Sequence, residues 1–128
     1  MKHINWYGGL LLLVLFAITG QYLRGVTIPA DQNEDLFRMM LRANHIYILF
    51  VGLVNILVSR SPFNRLIFQN LTQSFFVMSG VFVVFAFILE TDGDIEHRMF
   101  SFLTGISALS GIICFVLEVW IPKLQNTF

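Results

Sequence analysis

Four long apolar stretches, separated by three short polar links, make up almost the whole of this sequence. They run over Ile4–Tyr22, Ala43–Val58, Leu66–Leu89 and Phe100–Ile121. Each is long enough, or nearly so, to cross the hydrocarbon layer of a bilayer, which is about 30 Å thick, as a helix. The pattern predicts an all-α integral membrane protein, an up-down four-helix bundle. The predicted spans cover roughly residues 4–24, 37–59, 62–90 and 97–121.

The composition agrees with a chain that lies almost entirely inside lipid. Hydrophobic residues make up 56% of it and charged residues 12%, against about 25% charged residues in a soluble domain. Basic and acidic residues balance at eight each, so no nucleic-acid partner is expected. We expect residues 1–128 to form a single transmembrane domain whose surroundings are the lipid bilayer.

The N-terminal stretch could be read as a signal peptide, because Lys2 and His3 precede an apolar run. No Ala-x-Ala-type cleavage site follows before Arg24, so a retained first span is expected. The small size and this retained span favour a bacterial inner membrane.

Basic residues in short links predict the orientation of the bundle, since such links stay on the cytoplasmic side. The N-terminus, the second link and the C-terminus share one side in a four-span protein, and they carry Lys2, Arg60, Arg65 and Lys123 without Asp or Glu. The other side carries as many basic residues, but three of its arginines lie close to apolar helix. Both termini are therefore predicted to be cytoplasmic.

Local signals predict where the helices begin and end. Gly25 can end the first helix in a left-handed cap. Asp31 and Glu34 have the spacing of a capping box at the start of the second helix. Pro62 stands at the tolerated first position of the third helix, and Asp94 can cap the fourth.

Each span also carries one stripe of small or polar residues at a spacing of three or four. Such stripes let membrane helices approach closely and hydrogen-bond to one another, so most of these residues are predicted to serve packing. Asn55, Gln69, Gln73 and Glu118 fall in this group, as packing or interface residues. Glu118 lies near the end of its span and is predicted to be a surface acid that reaches the interface.

Polar residues concentrate at the predicted outer end of the bundle. The candidate ligand-binding residues there are Gln21, Arg24, Arg38, Arg42, His45 and Arg98. Arginine forms bidentate contacts with phosphate and carboxylate, so a lipid headgroup, a quinone or an anionic substrate would suit such a cluster. The alternative needs no ligand: the arginines would pair with the nearby acids Glu34, Asp35, Glu90 and Glu96.

Haem is a further candidate, since two histidines on different helices can ligate iron from both sides. His45 and His97 are the pair available in the membrane region, and they are also the weak candidates for binding a metal ion. Their depths agree poorly, because His97 lies well above His45 along its helix. The sequence leaves the identity of any other cofactor unknown.

No catalytic signature is present: the chain has no Gly-rich phosphate loop, no His-Glu-x-x-His motif and no nucleophile elbow. The leading hypothesis is therefore a non-enzymatic membrane protein whose outer end binds a small molecule, a lipid headgroup or a partner subunit. The alternative is a haem- or quinone-binding subunit of a membrane electron-transfer complex, and a small transporter is a third hypothesis. A homo-oligomer is compatible with all three.

Overall fold

The computed structural model describes residues 2–27, 34–90 and 98–125, with side chains for 3–27, 34–90 and 98–118. Four helices account for nearly all of these residues: α1 (Lys2–Gly25), α2 (Glu34–Arg60), α3 (Leu66–Leu89) and α4 (Met99–Gln125). All four contain a segment that is long and apolar enough to span a membrane. The sequence prediction of a four-helix, multi-pass membrane protein is confirmed.

The helices form two antiparallel hairpins. α1 packs along α2, and α3 packs along α4, while contacts of α2 with α3, and fewer of α1 with α3, join the hairpins. We call the end where α1 and α3 finish and α2 and α4 begin the arginine end. The opposite end, which holds the start of α1 and the link between α2 and α3, is called the terminal end.

Apolar side chains fill the interior in two clusters. The first contains Leu12, Ile48, Val51 and Val83, and the second contains Val58, Phe76 and Ala108. In a membrane, moving these side chains from lipid into the bundle gains little from the hydrophobic effect. Close packing and interhelical hydrogen bonds therefore hold the helices together.

Glycine sets the closest approach between α1 and α2. A Cβ atom on Gly9 would lie 2.7 Å from Ile56 Cγ1 and 2.8 Å from the Gly52 carbonyl oxygen. A Cβ on Gly52 would lie 3.1 Å from Leu12 Cβ. The two backbones therefore touch at this level, which fixes the register of α1 against α2.

Two of the four predicted helix boundaries can be compared with the structure. α1 ends at Gly25, but this glycine does not have the positive φ of the predicted left-handed cap. Asp31 and Asp94 lie outside the described residues. α3 begins at Leu66, so the prediction that Pro62 opens this helix was wrong. The reason is a tertiary contact, since the backbone N–H groups of Asn64 and Arg65 donate to a side chain of α4, described below.

Candidate functional site

The structure divides the predicted site residues between two sides of the arginine end. Arg24, Arg38, Arg42 and His45 lie where α1 meets α2, whereas Arg98 contacts α2 from the start of α4. The Gln21 side chain is exposed on α1 and makes no hydrogen bond to the described residues. The six residues therefore do not form one cluster.

Three arginines line one cavity between α1 and α2. Arg24 comes from the end of α1, and Arg38 and Arg42 come from the first turns of α2. The cavity has a volume of about 190 Å³, and its remaining walls are apolar. We call it the arginine cavity.

One of these arginines has a carboxylate partner. Arg38 Nη2 lies 2.9 Å from Glu34 Oε1, and both side chains are substantially exposed, at 43% and 64%. Exposed pairs of this kind contribute little, typically about 0–1 kcal/mol. The predicted pairing with nearby acids is thus confirmed for Arg38, whereas Arg24 and Arg42 have no carboxylate partner in the described part of the chain.

The depth of the arginine cavity follows from the helix rise. Arg42 lies about 27 Å along α2 from Arg60, at 1.5 Å per residue. If Arg60 stands at one boundary of a hydrocarbon layer about 30 Å thick, Arg42 stands close to the other. The cavity is then level with the phosphates and carbonyls of the lipid headgroups.

His45 lies one turn below Arg42 and faces α1. Its Nδ1 is 2.9 Å from Thr19 Oγ1, and its ring stacks on Phe16 with centroids 4.0 Å apart. A Cβ on Gly20 would lie 3.2 Å from His45 Cε1 and 3.5 Å from Nε2, so glycine provides the room for the imidazole. These contacts fix the spacing of α1 and α2 directly beneath the arginine cavity.

Arg98 is bound to amide and hydroxyl oxygens. Its Nη2 donates to Asn44 Oδ1 at 2.6 Å and to Ser101 Oγ at 3.1 Å. Asn44 is fully buried and donates in turn to the Ala86 carbonyl oxygen at 3.2 Å. Arg98 therefore joins α4 to α2 and, through Asn44, to α3.

Glu90 directs its carboxylate at the start of α4. It accepts hydrogen bonds from the backbone N–H groups of Phe100 and Ser101 and from the Ser101 hydroxyl. The described structure contains no ion pair between Glu90 and Arg98, so the predicted pairing of the arginines with Glu90 was wrong. The N–H groups at the start of α4 have no partners within the helix, and the carboxylate satisfies them instead.

Glu118 makes the equivalent contact at the terminal end. Its Oε1 accepts hydrogen bonds from the backbone N–H groups of Asn64 and Arg65, at 2.6 Å and 2.9 Å. Only 2% of the residue is exposed. The prediction of a surface acid was wrong, because the N–H groups ahead of α3 draw the carboxylate inward.

A second polar cluster lies inside the terminal end. Asn55 Nδ2 donates to the carbonyl oxygens of Val51 and Phe76, at 2.9 Å and 3.1 Å. Since carbonyl oxygens only accept, the Asn55 amide must be oriented with Oδ1 towards Asn5, whose Nδ2 donates to it at 2.9 Å. The same Asn5 nitrogen donates to the Gln73 carbonyl oxygen at 3.1 Å, so this cluster joins α1, α2 and α3.

The terminal-end cluster contains polar atoms without partners. Gln73 is completely buried, and neither its Nε2 nor its Oε1 has a hydrogen-bond partner in the described structure. The same holds for Asn5 Oδ1 and Thr72 Oγ1. Burying an amide without a hydrogen bond costs roughly 2–7 kcal/mol, so the buried Gln73 side chain destabilises the folded protein.

The metal and haem predictions remain open. The described residues contain no group of three His, Cys, Asp and Glu side chains that could hold a metal ion. His97 lies outside these residues, so its distance from His45 is not defined, and haem ligation by this pair stays a prediction. Comparisons of the chain with protein families, with curated proteins and with solved structures found no match.

Proposed function

We propose that this membrane protein binds an anionic group, a phosphate or a carboxylate, in the arginine cavity. The observation that carries the proposal is the placement of Arg24 and Arg42. They come from two different helices, line one cavity and have no carboxylate partner among the residues described.

The charge balance around the cavity supports an anion. The three arginines of the cavity have two acids near them in the described sequence, Glu34 and Asp35. Glu34 forms an ion pair with Arg38. At the level of the headgroups, arginine side chains meet phosphates and carboxylates, which a guanidinium can bind in bidentate geometry. An anion that accepts from Arg24 and Arg42 together would neutralise both with charge-assisted hydrogen bonds.

The packing beneath the cavity supports a preformed site. Thr19, Phe16 and Gly20 of α1 hold the His45 ring between the two helices. Because Gly20 and Arg24 are one turn apart on α1, as His45 and Arg42 are on α2, these contacts set the distance between the two arginines. His45 thus acts as a positioning residue for the anion site.

Titration of the purified protein in a neutral detergent tests the proposal. The probes are dihexanoyl phosphatidylglycerol, a short-chain anionic lipid, and inorganic phosphate. We expect Arg24→Ala and Arg42→Ala to weaken binding roughly 10- to 100-fold, because a hydrogen bond to a charged group contributes about 1.5–3 kcal/mol. Arg65→Ala removes an exposed arginine at the terminal end and is the matched control, with no effect expected.

The two probes distinguish the source of the anion. Binding of the lipid alone would identify a headgroup site, whereas equal binding of phosphate would identify a site for a soluble anion. Affinities that are the same in the parent protein, Arg42→Ala and Arg65→Ala would contradict the proposal.

A further inference from the structure

Two of the arginines that line the arginine cavity also line a second cavity. Arg38 and Arg42 are common to both, and the second cavity has a volume of about 440 Å³. The other residues that line it are Asp35, Met39, Ala43 and Ile46. All six recur at intervals of three or four, so they lie on one face of α2. We call this second cavity the α2 groove.

The α2 groove opens to the surroundings of the bundle. Met39 and Ile46 are 61% and 59% exposed, and Arg38 and Arg42 are exposed as well. Within the described part of the chain, no residue of α1, α3 or α4 lines it. A molecule of the membrane can therefore enter the groove from the side, without crossing the bundle.

The chemistry of the groove changes with depth in the same order as that of a membrane lipid. Arg42 stands close to the boundary of the hydrocarbon layer, and Arg38 lies about one turn further out. Ala43 and Ile46 continue towards the centre of the membrane, with Ile46 about 6 Å below Arg42. The groove thus has cations at the level of the lipid phosphates and an apolar wall at the level of the acyl chains.

The charges favour an anionic head at the outer part of the groove. Arg42 lines both cavities and has no carboxylate partner among the described residues. Asp35 is the one acid of the described chain that lines the groove, and it lies about two turns further out than Arg42. A phosphate between Arg24 and Arg42 would accept charge-assisted hydrogen bonds from both, and a chain attached to it can pass Arg42 into the groove.

We infer that the anion of the arginine cavity is the phosphate of an anionic membrane lipid, with an acyl chain in the α2 groove along Ala43 and Ile46. This lipid site rests on the anion site proposed above, and its source is the membrane rather than the aqueous phase. A soluble phosphate has no group that contacts the apolar part of the groove. The two sources therefore differ in whether Ala43 and Ile46 contribute to binding.

Photo-cross-linking locates the acyl chain. The probe is a phosphatidylglycerol with a diazirine in its chain, added to the protein in a neutral detergent, and mass spectrometry identifies the labelled residues. We expect labelling at Ile46 that saturates with the probe and is removed by unlabelled dilauroyl phosphatidylglycerol. Leu57 is the internal control, because it is 65% exposed on the same helix but lies near the terminal end. Its labelling should be weak and should not saturate.

Two kinds of variant separate the head from the chain. Arg42→Ala removes a cation and should weaken the binding of the probe roughly 10- to 100-fold, whereas Arg65→Ala at the terminal end should not. Ala43→Phe fills the apolar part of the groove and should weaken the probe about tenfold, without changing the binding of inorganic phosphate. Ile46→Ala, which only shortens an exposed side chain, should act in the same direction with a smaller effect.

The outcomes distinguish a failure of the lipid site from a failure of the anion site. Inorganic phosphate that binds as tightly as the lipid, depends on Arg42 and is indifferent to Ala43→Phe and Ile46→Ala would keep the anion site and overturn the lipid. Competition by dilauroyl phosphatidylcholine as readily as by the phosphatidylglycerol would overturn the anionic head. Labelling of Ile46 that does not saturate, like that of Leu57, would overturn the chain site. If neither probe depended on Arg42, both proposals would fail.

Discussion

Glu90 and Glu118 accept hydrogen bonds from backbone N–H groups at the starts of the two helices of the α3–α4 hairpin: Glu90 at the start of α4 and Glu118 at the start of α3. Glu90, directly after α3, accepts from the N–H groups of Phe100 and Ser101 in α4. Glu118, in α4, accepts from the N–H groups ahead of α3. Both carboxylates also lie at the positive ends of helix dipoles, where a negative charge is stabilised. The α3–α4 hairpin is thereby closed at both ends by buried acids.

Removing the Glu118 carboxylate should destabilise the bundle. Glu118→Ala leaves two backbone N–H groups without an acceptor, and we expect the free energy of unfolding to fall by about 1–3 kcal/mol. Glu118→Gln keeps one carbonyl acceptor and should lose less. Unfolding in mixed micelles measures both, and Glu34→Ala, which breaks an exposed pair, is the control with a loss below about 1 kcal/mol. Equal losses for Glu118→Ala and Glu34→Ala would show that the buried hydrogen bonds of Glu118 contribute no more to stability than the exposed ion pair.

The close approach of α1 and α2 makes a second prediction, with neighbouring glycines as a matched pair. Gly9→Ala places a methyl group against Ile56 and the Gly52 carbonyl oxygen, so it should lower the free energy of unfolding by about 1–3 kcal/mol. Gly8→Ala meets no atom within 4 Å and should be neutral or slightly stabilising, because alanine favours the helix. The same micelle assay compares them, and a tolerated Gly9→Ala would refute the backbone contact.

Asn55 should contribute far more to the stability of the bundle than an exposed asparagine does. Asn55→Ala removes the acceptor of Asn5 and the donor to two carbonyl groups, so we expect a loss of roughly 1–3 kcal/mol. Asn70→Ala, at an exposed position of α3, should change the stability little. If both substitutions were equally harmless, the terminal-end cluster would not be a stabilising network.

His45 should be held in one tautomer. Thr19 Oγ1 lies 2.8 Å from the Leu15 carbonyl oxygen and 3.2 Å from that of Phe16. Without a proton between them these oxygens would repel one another, so the hydroxyl donates to a carbonyl and accepts from His45 Nδ1–H. We expect ¹⁵N NMR to show a protonated Nδ1 and an unprotonated Nε2 in the neutral ring. Thr19→Val should abolish this preference, and a protonated Nε2 in the parent would contradict the assignment.

The sequence predicted the four helices because an 18-residue apolar segment has few alternatives in a membrane. It also predicted that α1 ends at Gly25, but not the conformation there, since this glycine lacks the positive φ of a left-handed cap. The start of α3 could not be predicted in this way. Its N–H partners come from Glu118, which is more than fifty residues further along the chain, and no local pattern records that contact.

The sequence predicted which arginines lie at this end of the bundle, but not how they are arranged, because the arrangement depends on tertiary contacts. Counting charges along the helices located Arg24, Arg38 and Arg42 at one end, but only the packing of α1 on α2 places them around one cavity. Asn5 and Asn44 were not predicted as buried polar residues. A signal was present for Asn44, since it shares a helical face with Ile48 and Asn55, and an asparagine pair on an apolar face requires polar partners inside the bundle.

The anion site can be tested directly by arginine modification. Phenylglyoxal reacts with free guanidinium groups, and mass spectrometry reports the extent at each residue. We predict that dihexanoyl phosphatidylglycerol or inorganic phosphate slows the modification of Arg24 and Arg42 saturably and leaves Arg65, at the opposite end, unchanged. Equal protection of all three arginines, or protection of none, would contradict the assignment of the arginine cavity as an anion-binding site.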